Sequence, residues 1–141
     1  MKMKEAYAMR AAMEQTFAKA APSMTSDEVI QNRVLCKAWA PGSHLVGEVY
    51  RAAGQVWKCI QAYNNAIYPD IVPGNAAWGT FHTPYHGTTK ETALPWVAPT
   101  GAHDMYFAGE HMVYTNGITY KALLDTNFSP EEYPSAWEAA G

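Results

Sequence analysis

Two histidines four apart, His82 and His86 in His-Thr-Pro-Tyr-His, have the spacing that puts two metal ligands on one helix face. Pro84 stands between them and the surroundings do not read as helix, so loop histidines with protein partners are the expectation and no metal site is. Asp104 with Glu110, or Glu131 with Glu132, could be paired carboxylates for acid–base work. Neither pair sits in an obviously apolar cleft, and adjacent glutamates read as a solvated helical turn. Cys36 and Cys59 are the only cysteines; two thiols cannot make a structural zinc site, and buried free thiols are a plainer expectation than a disulfide. There is no Gly-x-Ser-x-Gly elbow, no phosphate loop and no Cys/His dyad, so no catalysis and no cofactor are expected.

Composition narrows the classes. The 141 residues suffice for one ordinary domain or two very small ones. Hydrophobic residues make up 48%, which implies a packed core, yet charged residues are only 16% and aromatics 13%, so five Trp and nine Tyr need a core or a ligand to cover them. Net charge is -3 and Lys and Arg are scattered singly, which argues against a nucleic-acid partner. No apolar run is long enough for membrane insertion, and Glu5, Arg10 and Glu14 interrupt the start, so no signal peptide is expected.

Residues 3 to 20 read as a helix with Ala6, Met9, Met13 and Phe17 on one stripe. Met-rich stripes suit adaptable interfaces, so Met9, Met13 and Phe17 are the candidate anchor or homo-oligomer contacts; packing on the chain's own domain is the alternative. Thr25-Ser26-Asp27-Glu28 is a capping box opening a short helix, and Pro41-Gly42 marks a turn.

Two stretches then share a plan. In 47–78, Gly54 turns a hairpin between Glu48–Arg51 and Gln55–Ile60, and a Pro69, Pro73 loop runs to Trp78. In 109–137, Asn116-Gly117 turns a hairpin between His111–Tyr114 and Ile118–Leu124, and a Pro130, Pro134 loop runs to Trp137; Asn-Gly predicts a type I′ turn. With Gly54 laid on Gly117, Trp57 falls on Tyr120, Lys58 on Lys121 and Asn64 on Asn127. The bracketing rings Trp39, Trp57, Trp78, Tyr120 and Trp137 are expected in the core. The Pro- and Gly-rich stretch between is too apolar at Phe81, Tyr85, Trp96 and Val97 for a free linker, and one short strand near Trp96 is expected.

The pattern of Gly47, Val49, Tyr50, Gly54, Trp57, Lys58 and Trp78, repeated as Gly109, Val113, Tyr114, Gly117, Tyr120, Lys121, Pro134 and Trp137, resembles the type 3 chitin-binding domain, also called carbohydrate-binding module family 5/12. Residues 98–106 and 128–134, with the helical start, look like small proteins of bacteriophage tail modules. The resemblance implies a mainly β fold with a short α-helical N-terminus and two tandem small hairpin or three-stranded units. It divides the chain into a helical anchor or oligomerisation segment at 1–38, a first unit at 39–79, an ordered connector at 80–105 and a second unit at 106–141. It further implies a non-catalytic virion protein made in the bacterial cytoplasm, with host cell-surface polysaccharide and other phage structural proteins as partners, or a decoration or adaptor protein whose modules meet other chains. The family's exposed Trp pair after the second strand is here Leu123-Leu124, and Ile60-Gln61 in the first unit, so the fold is implied more firmly than the sugar.

Sugar rings present flat C–H faces, which stack on aromatic rings, and hydroxyls that pair with amides and carboxylates. The candidate ligand residues are therefore Tyr63, Asn64, Asn65 and Tyr68 in the first post-hairpin loop, and Asp125, Asn127, Phe128 and Tyr133 in the second.

Overall fold

The computed structural model describes residues 3–140. It is mainly β with a helical N-terminal part. Helix α1, Met3–Ala20, is rich in Ala and unbranched side chains and runs until Pro22 falls in a 3-10 turn, Ala21–Ser23. Helix α2, Ser26–Gln31, opens on the expected capping box: Glu28 N donates to Thr25 Oγ1 at 3.1 Å, and Thr25 N donates to Glu28 Oε1 at 3.0 Å. Among the described residues no helix is long and apolar enough to cross a membrane.

The first sheet contains β1 (Lys37–Ala38), β3 (Val49–Ala52), β4 (Gln55–Cys59) and β6 (His82–Pro84), in that spatial order. A ribbon of β2 (Ser43–His44) and β5 (Tyr63–Asn64) lies outside it, and a one-turn helix α3, Trp78–Phe81, leads into β6. The second sheet runs β7 (Leu94–Pro95), β8 (His111–Val113), β9 (Thr119–Ala122) and β10 (Trp137–Ala139). In both sheets the first strand is parallel to the second and the remaining pairs are antiparallel. The hydrogen bonds repeat too. Gly47 N donates to Cys59 O as Gly109 N does to Ala122 O, and Ile60 N donates to Phe81 O as Leu123 N does to Ala136 O. The Glu48 carboxylate accepts from Leu45 N at 2.8 Å, and that of Glu110 from Phe107 N at 2.7 Å.

Several expectations shift by a few residues. The first sheet takes strands from outside 39–79, because 80–105 supplies β6 to one sheet and β7 to the other. The strand near Trp96 is β7, and Trp96 N donates to Val113 O as Trp39 N does to Arg51 O. Trp39 and Trp96 are therefore counterparts. The Val-Tyr pairs are not: Tyr50 sits opposite Trp57 in its hairpin where Met112 sits opposite Tyr120. Trp137 lies opposite Ala122, but the corresponding place opposite Cys59 is held by His82, not Trp78. Trp78 instead stacks on the His82 ring, centroids 3.5 Å apart and planes 19° apart.

The turns also differ. Ala53 and Gly54 both have positive φ, 53° and 75°, as a two-residue primed turn requires. At the second hairpin only Gly117 does, at 81°. Tyr114 N donates to Ile118 O and Gly117 N to Tyr114 O, so the loop holds three residues, Thr115 to Gly117, and one left-handed glycine suffices.

The core comes in three parts. Phe17, Ala21, Val29 and Ile30 of the helical segment pack with Cys36, Val49, Val56 and Leu94. Tyr50, Trp57, Cys59, Tyr63, Ile71 and Trp78 fill the first unit, and Tyr106, Met112, Ala122, Ala136 and Trp137 the second. Both cysteines are buried free thiols, and burial pushes Cys36 up to about 11. Asp27 on α2 fastens the helical segment to the connector: its Oδ1 accepts from Thr88 N at 2.7 Å and Thr92 Oγ1 at 2.6 Å. Burial pushes that carboxyl up, but the bonds from Thr88 and Thr92 outweigh it and hold it below the usual carboxylate range.

Candidate functional site

The first post-hairpin loop turns inward. Tyr63 is 6% exposed, accepts from Trp39 Nε1 at 2.9 Å, and places its hydroxyl 3.1 Å from His82 Nε2. Asn65 is buried and spends its amide on the loop itself. Its Oδ1 accepts from Gly42 N and lies 3.0 Å from His44 Nε2, while its Nδ2 donates to Tyr68 O and Ile71 O. Asn64, half-buried, accepts from Ala66 N at 2.8 Å in a local turn. Tyr63 and Asn65 are thus corrected from ligand contacts to structural residues. The cause is the β2–β5 ribbon, which seats Tyr63 opposite His44 and pulls the loop onto the core. Tyr68 remains exposed, at 57%.

The second loop does the opposite. Thr126 pairs with Tyr106 through two backbone hydrogen bonds, and Ala108 N donates to Asp125 Oδ1 at 2.9 Å. Ser129 and Glu132 cap each other, Glu132 N donating to Ser129 Oγ and Ser129 N to Glu132 Oε1, both at 3.1 Å. Trp137 Nε1 donates to Phe128 O at 2.9 Å. On this fixed frame Phe128 and Tyr133 stand in solvent, 53% and 42% exposed, with ring centroids 6.4 Å apart and planes 32° apart. Asp125 and Asn127 of the same loop are exposed, as are Leu123 and Leu124 just before it in the chain. Two exposed rings with a carboxylate and an amide in the same loop are groups that could meet the C–H face and hydroxyls of a sugar.

A cleft between the two sheets went unforeseen, because no stretch of sequence contains it. Its volume is about 410 Å³, and its lining includes Gln55, Trp57, Asn75, Trp78, Trp96 and Asp104. Gln55 Nε2 donates to Pro95 O across it. The Asp104 carboxylate accepts from Thr100 N, Thr100 Oγ1 and Gly101 N at 2.8–2.9 Å. Burial pushes Asp104 up, and these bonds outweigh it and hold it below the carboxylate range. The signal available in the sequence was the pair Trp39-Ala40-Pro41 and Trp96-Val97-Ala98-Pro99, which marks the two counterpart tryptophans.

The two histidines part company. Burial, aided by His44, pushes His82 down to about 4; the Trp78 carbonyl, close by but outside hydrogen-bond geometry, works the other way. His86 stacks on Tyr106 of the second unit at 3.8 Å, with Nδ1 3.0 Å from Glu110 Oε1. Among the described residues no group of three or more His, Cys, Asp or Glu could hold a metal ion. On α1, Phe17 is 5% exposed and belongs to the core, which corrects its assignment as an interface residue, while Met9 and Met13 are about half exposed, at 51% and 48%. Comparison with protein-family models and with curated proteins gives no match to this chain.

Proposed function

We propose that the protein is a non-catalytic bacteriophage virion protein, of the tail or an accessory part, whose two tandem carbohydrate-binding-module-like β units hold the particle against host cell-surface polysaccharide. The observation that carries this is the Phe128–Tyr133 ring pair, held outward on the hydrogen-bonded loop that also holds Asp125 and Asn127. The repeated sheet order and register support the tandem units. Taken on the scale of an aromatic pair, a ring stacked on a flat sugar face contributes about 0.5–1.5 kcal/mol. Phe128→Ala and Tyr133→Ala should therefore each weaken binding about 2–10-fold in a cell-wall pull-down or glycan array, with unchanged melting of the protein. Equal binding by wild type and both variants would remove this surface from the proposal.

A second role, contact with other phage structural proteins or with a copy of itself, is favoured by one observation: Met3, Tyr7, Met9 and Met13 leave α1 with exposed apolar side chains. Deleting α1 is a poor test, since Phe17 would leave the core with it. The double variant Met9→Lys, Met13→Lys keeps the core. Light scattering should show a smaller assembly than wild type, or particle incorporation should fall; if neither changes, the helix face has no such role.

A further inference from the structure

Four buried side-chain polar atoms among the described residues lack a hydrogen-bond partner, and three of them, Asn75 Oδ1, Trp78 Nε1 and His82 Nδ1, belong to residues lining the cleft between the sheets. Trp78 is 4% exposed and His82 fully buried. A buried polar group left without a partner costs about 1–3 kcal/mol, and folded proteins keep few of them. Three such atoms on residues around one cavity single it out as the place to ask what could supply the bonds.

The chemistry of those atoms constrains what it is. An indole N–H only donates and an amide oxygen only accepts, so an occupant that meets both has to accept and to donate. Hydroxyl groups do both. The cleft walls include the rings of Trp57, Trp78 and Trp96, apolar surfaces for C–H groups, and its volume of about 410 Å³ lies in the range of small-ligand sites. No Lys or Arg lines it, and its one carboxylate, Asp104, is already bound by Thr100 and Gly101. A phosphate or carboxylate ligand would find no countercharge there.

We propose that this cleft binds one neutral sugar ring, with its hydroxyls meeting Trp78 Nε1 and Asn75 Oδ1 and a C–H face lying on the tryptophans. The choice of a sugar over other hydroxylated molecules rests on the glycan-adhesion proposal above; the place rests on the cleft alone. Both sheets contribute, Trp78 from the side of the first and Trp96 from the second.

Indole N–H resonances test this without any substitution. The full chain, labelled with nitrogen-15, is titrated with glucose, galactose, mannose and N-acetylglucosamine, and with glycerol as the non-ring control. At least one sugar should move the Trp78 indole resonance, while that of Trp137, which does not line the cleft and is already bonded to Phe128 O, stays nearly fixed. Trp78→Phe keeps a ring and removes the donor, and should weaken that sugar about 3–10-fold. If no sugar moves Trp78, or glycerol moves it equally, the cleft proposal is overturned. If Trp78 is unmoved while adhesion still depends on Phe128, the cleft fails and the adhesion surface stands. If Trp78 responds while Phe128→Ala and Tyr133→Ala leave adhesion unchanged, the cleft stands and that surface falls. Should Trp78→Phe fail to fold, the wild-type titration alone decides.

Discussion

Trp137→Ala should lower the unfolding free energy by about 3–5 kcal/mol, the cost of removing a large ring from a closed core. The indole is 6% exposed and meets Trp96 and Tyr106 edge-on, at centroid distances of 6.0 and 5.4 Å. It begins the last strand of the second sheet and its N–H holds the Phe128 carbonyl, so the loss is more than volume. Trp137→Phe keeps most of the packing but leaves that carbonyl unpaired, and should cost about 1–3 kcal/mol. Denaturant unfolding of both variants measures the difference. The alanine variant should also weaken glycan binding beyond what its stability explains, because the Phe128–Tyr133 ring pair loses a strut. A cost below about 1.5 kcal/mol for Trp137→Ala would mean that the second unit does not depend on this ring.

The second large effect is a loss of stability on mild acidification, traced to His82. In the unfolded chain this imidazole takes up a proton near pH 6.5; in the fold it resists until about pH 4. Between those values the unfolded state binds the extra proton, so stability is intact above pH 6.5 and drains away as pH falls through the window. The full contribution is about 3 kcal/mol at the lower end. The groups around the ring include the Tyr63 hydroxyl, the Tyr50 ring, His44 and the stacked Trp78, and the Trp78 carbonyl, which favours the imidazolium, offsets only part of the burial. Asp27, Glu48 and Asp104 are all held below the usual carboxylate range, so their contributions begin to be lost as pH falls through the unfolded values, 4.5 for Glu and 3.8 for Asp, and overlap only the acid end of the His82 window. Unfolding curves at pH 7.5, 5.5 and 4.2 check this against His82→Phe, which fills the same space without a titrating nitrogen. The variant should lose less stability across that range than wild type; parallel losses would assign the acid sensitivity elsewhere.

Local chemistry was legible in the residues themselves. The capping box, both hairpins and the end of α1 follow from neighbours within a few positions, where turn and cap preferences act. The burial of Trp57, Trp78 and Trp137 follows from ring size in units this small. What was not legible depends on strands of two residues. Lys37–Ala38 and Leu94–Pro95 are too short to show alternation, yet they give both sheets their parallel edge. Ser43–His44 is equally short, and with it Tyr63 and Asn65 face inward; in the second loop Thr126, at the place of Tyr63, is buried too, but Phe128, at the place of Asn65, is exposed. There the equivalent pairing shrinks to a single bridge between Tyr106 and Thr126, which leaves Phe128 and Tyr133 free to point outward. The cleft escaped for a different reason: its walls come from residues some forty positions apart, Gln55 to Trp96, brought together only by the packing of one unit on the other.

The junction at 85–93 separates the last strand of the first sheet from the first strand of the second, yet every neighbour grips it. Tyr85 N donates to Val56 O, Gly87 O receives His111 N from the second sheet, and Thr88 and Thr92 are tied to Asp27. A methyl group on Gly87 would come within 2.1 Å of the Thr92 carbonyl oxygen, so even the smallest side chain has no room there. Duplicated modules are often shuffled between genes as independent cassettes. Here a break at the seam would sever the Asp27 ties to Thr88 and Thr92 and the His111–Gly87 bridge together, so the two halves should not come apart into pieces that each keep all their contacts.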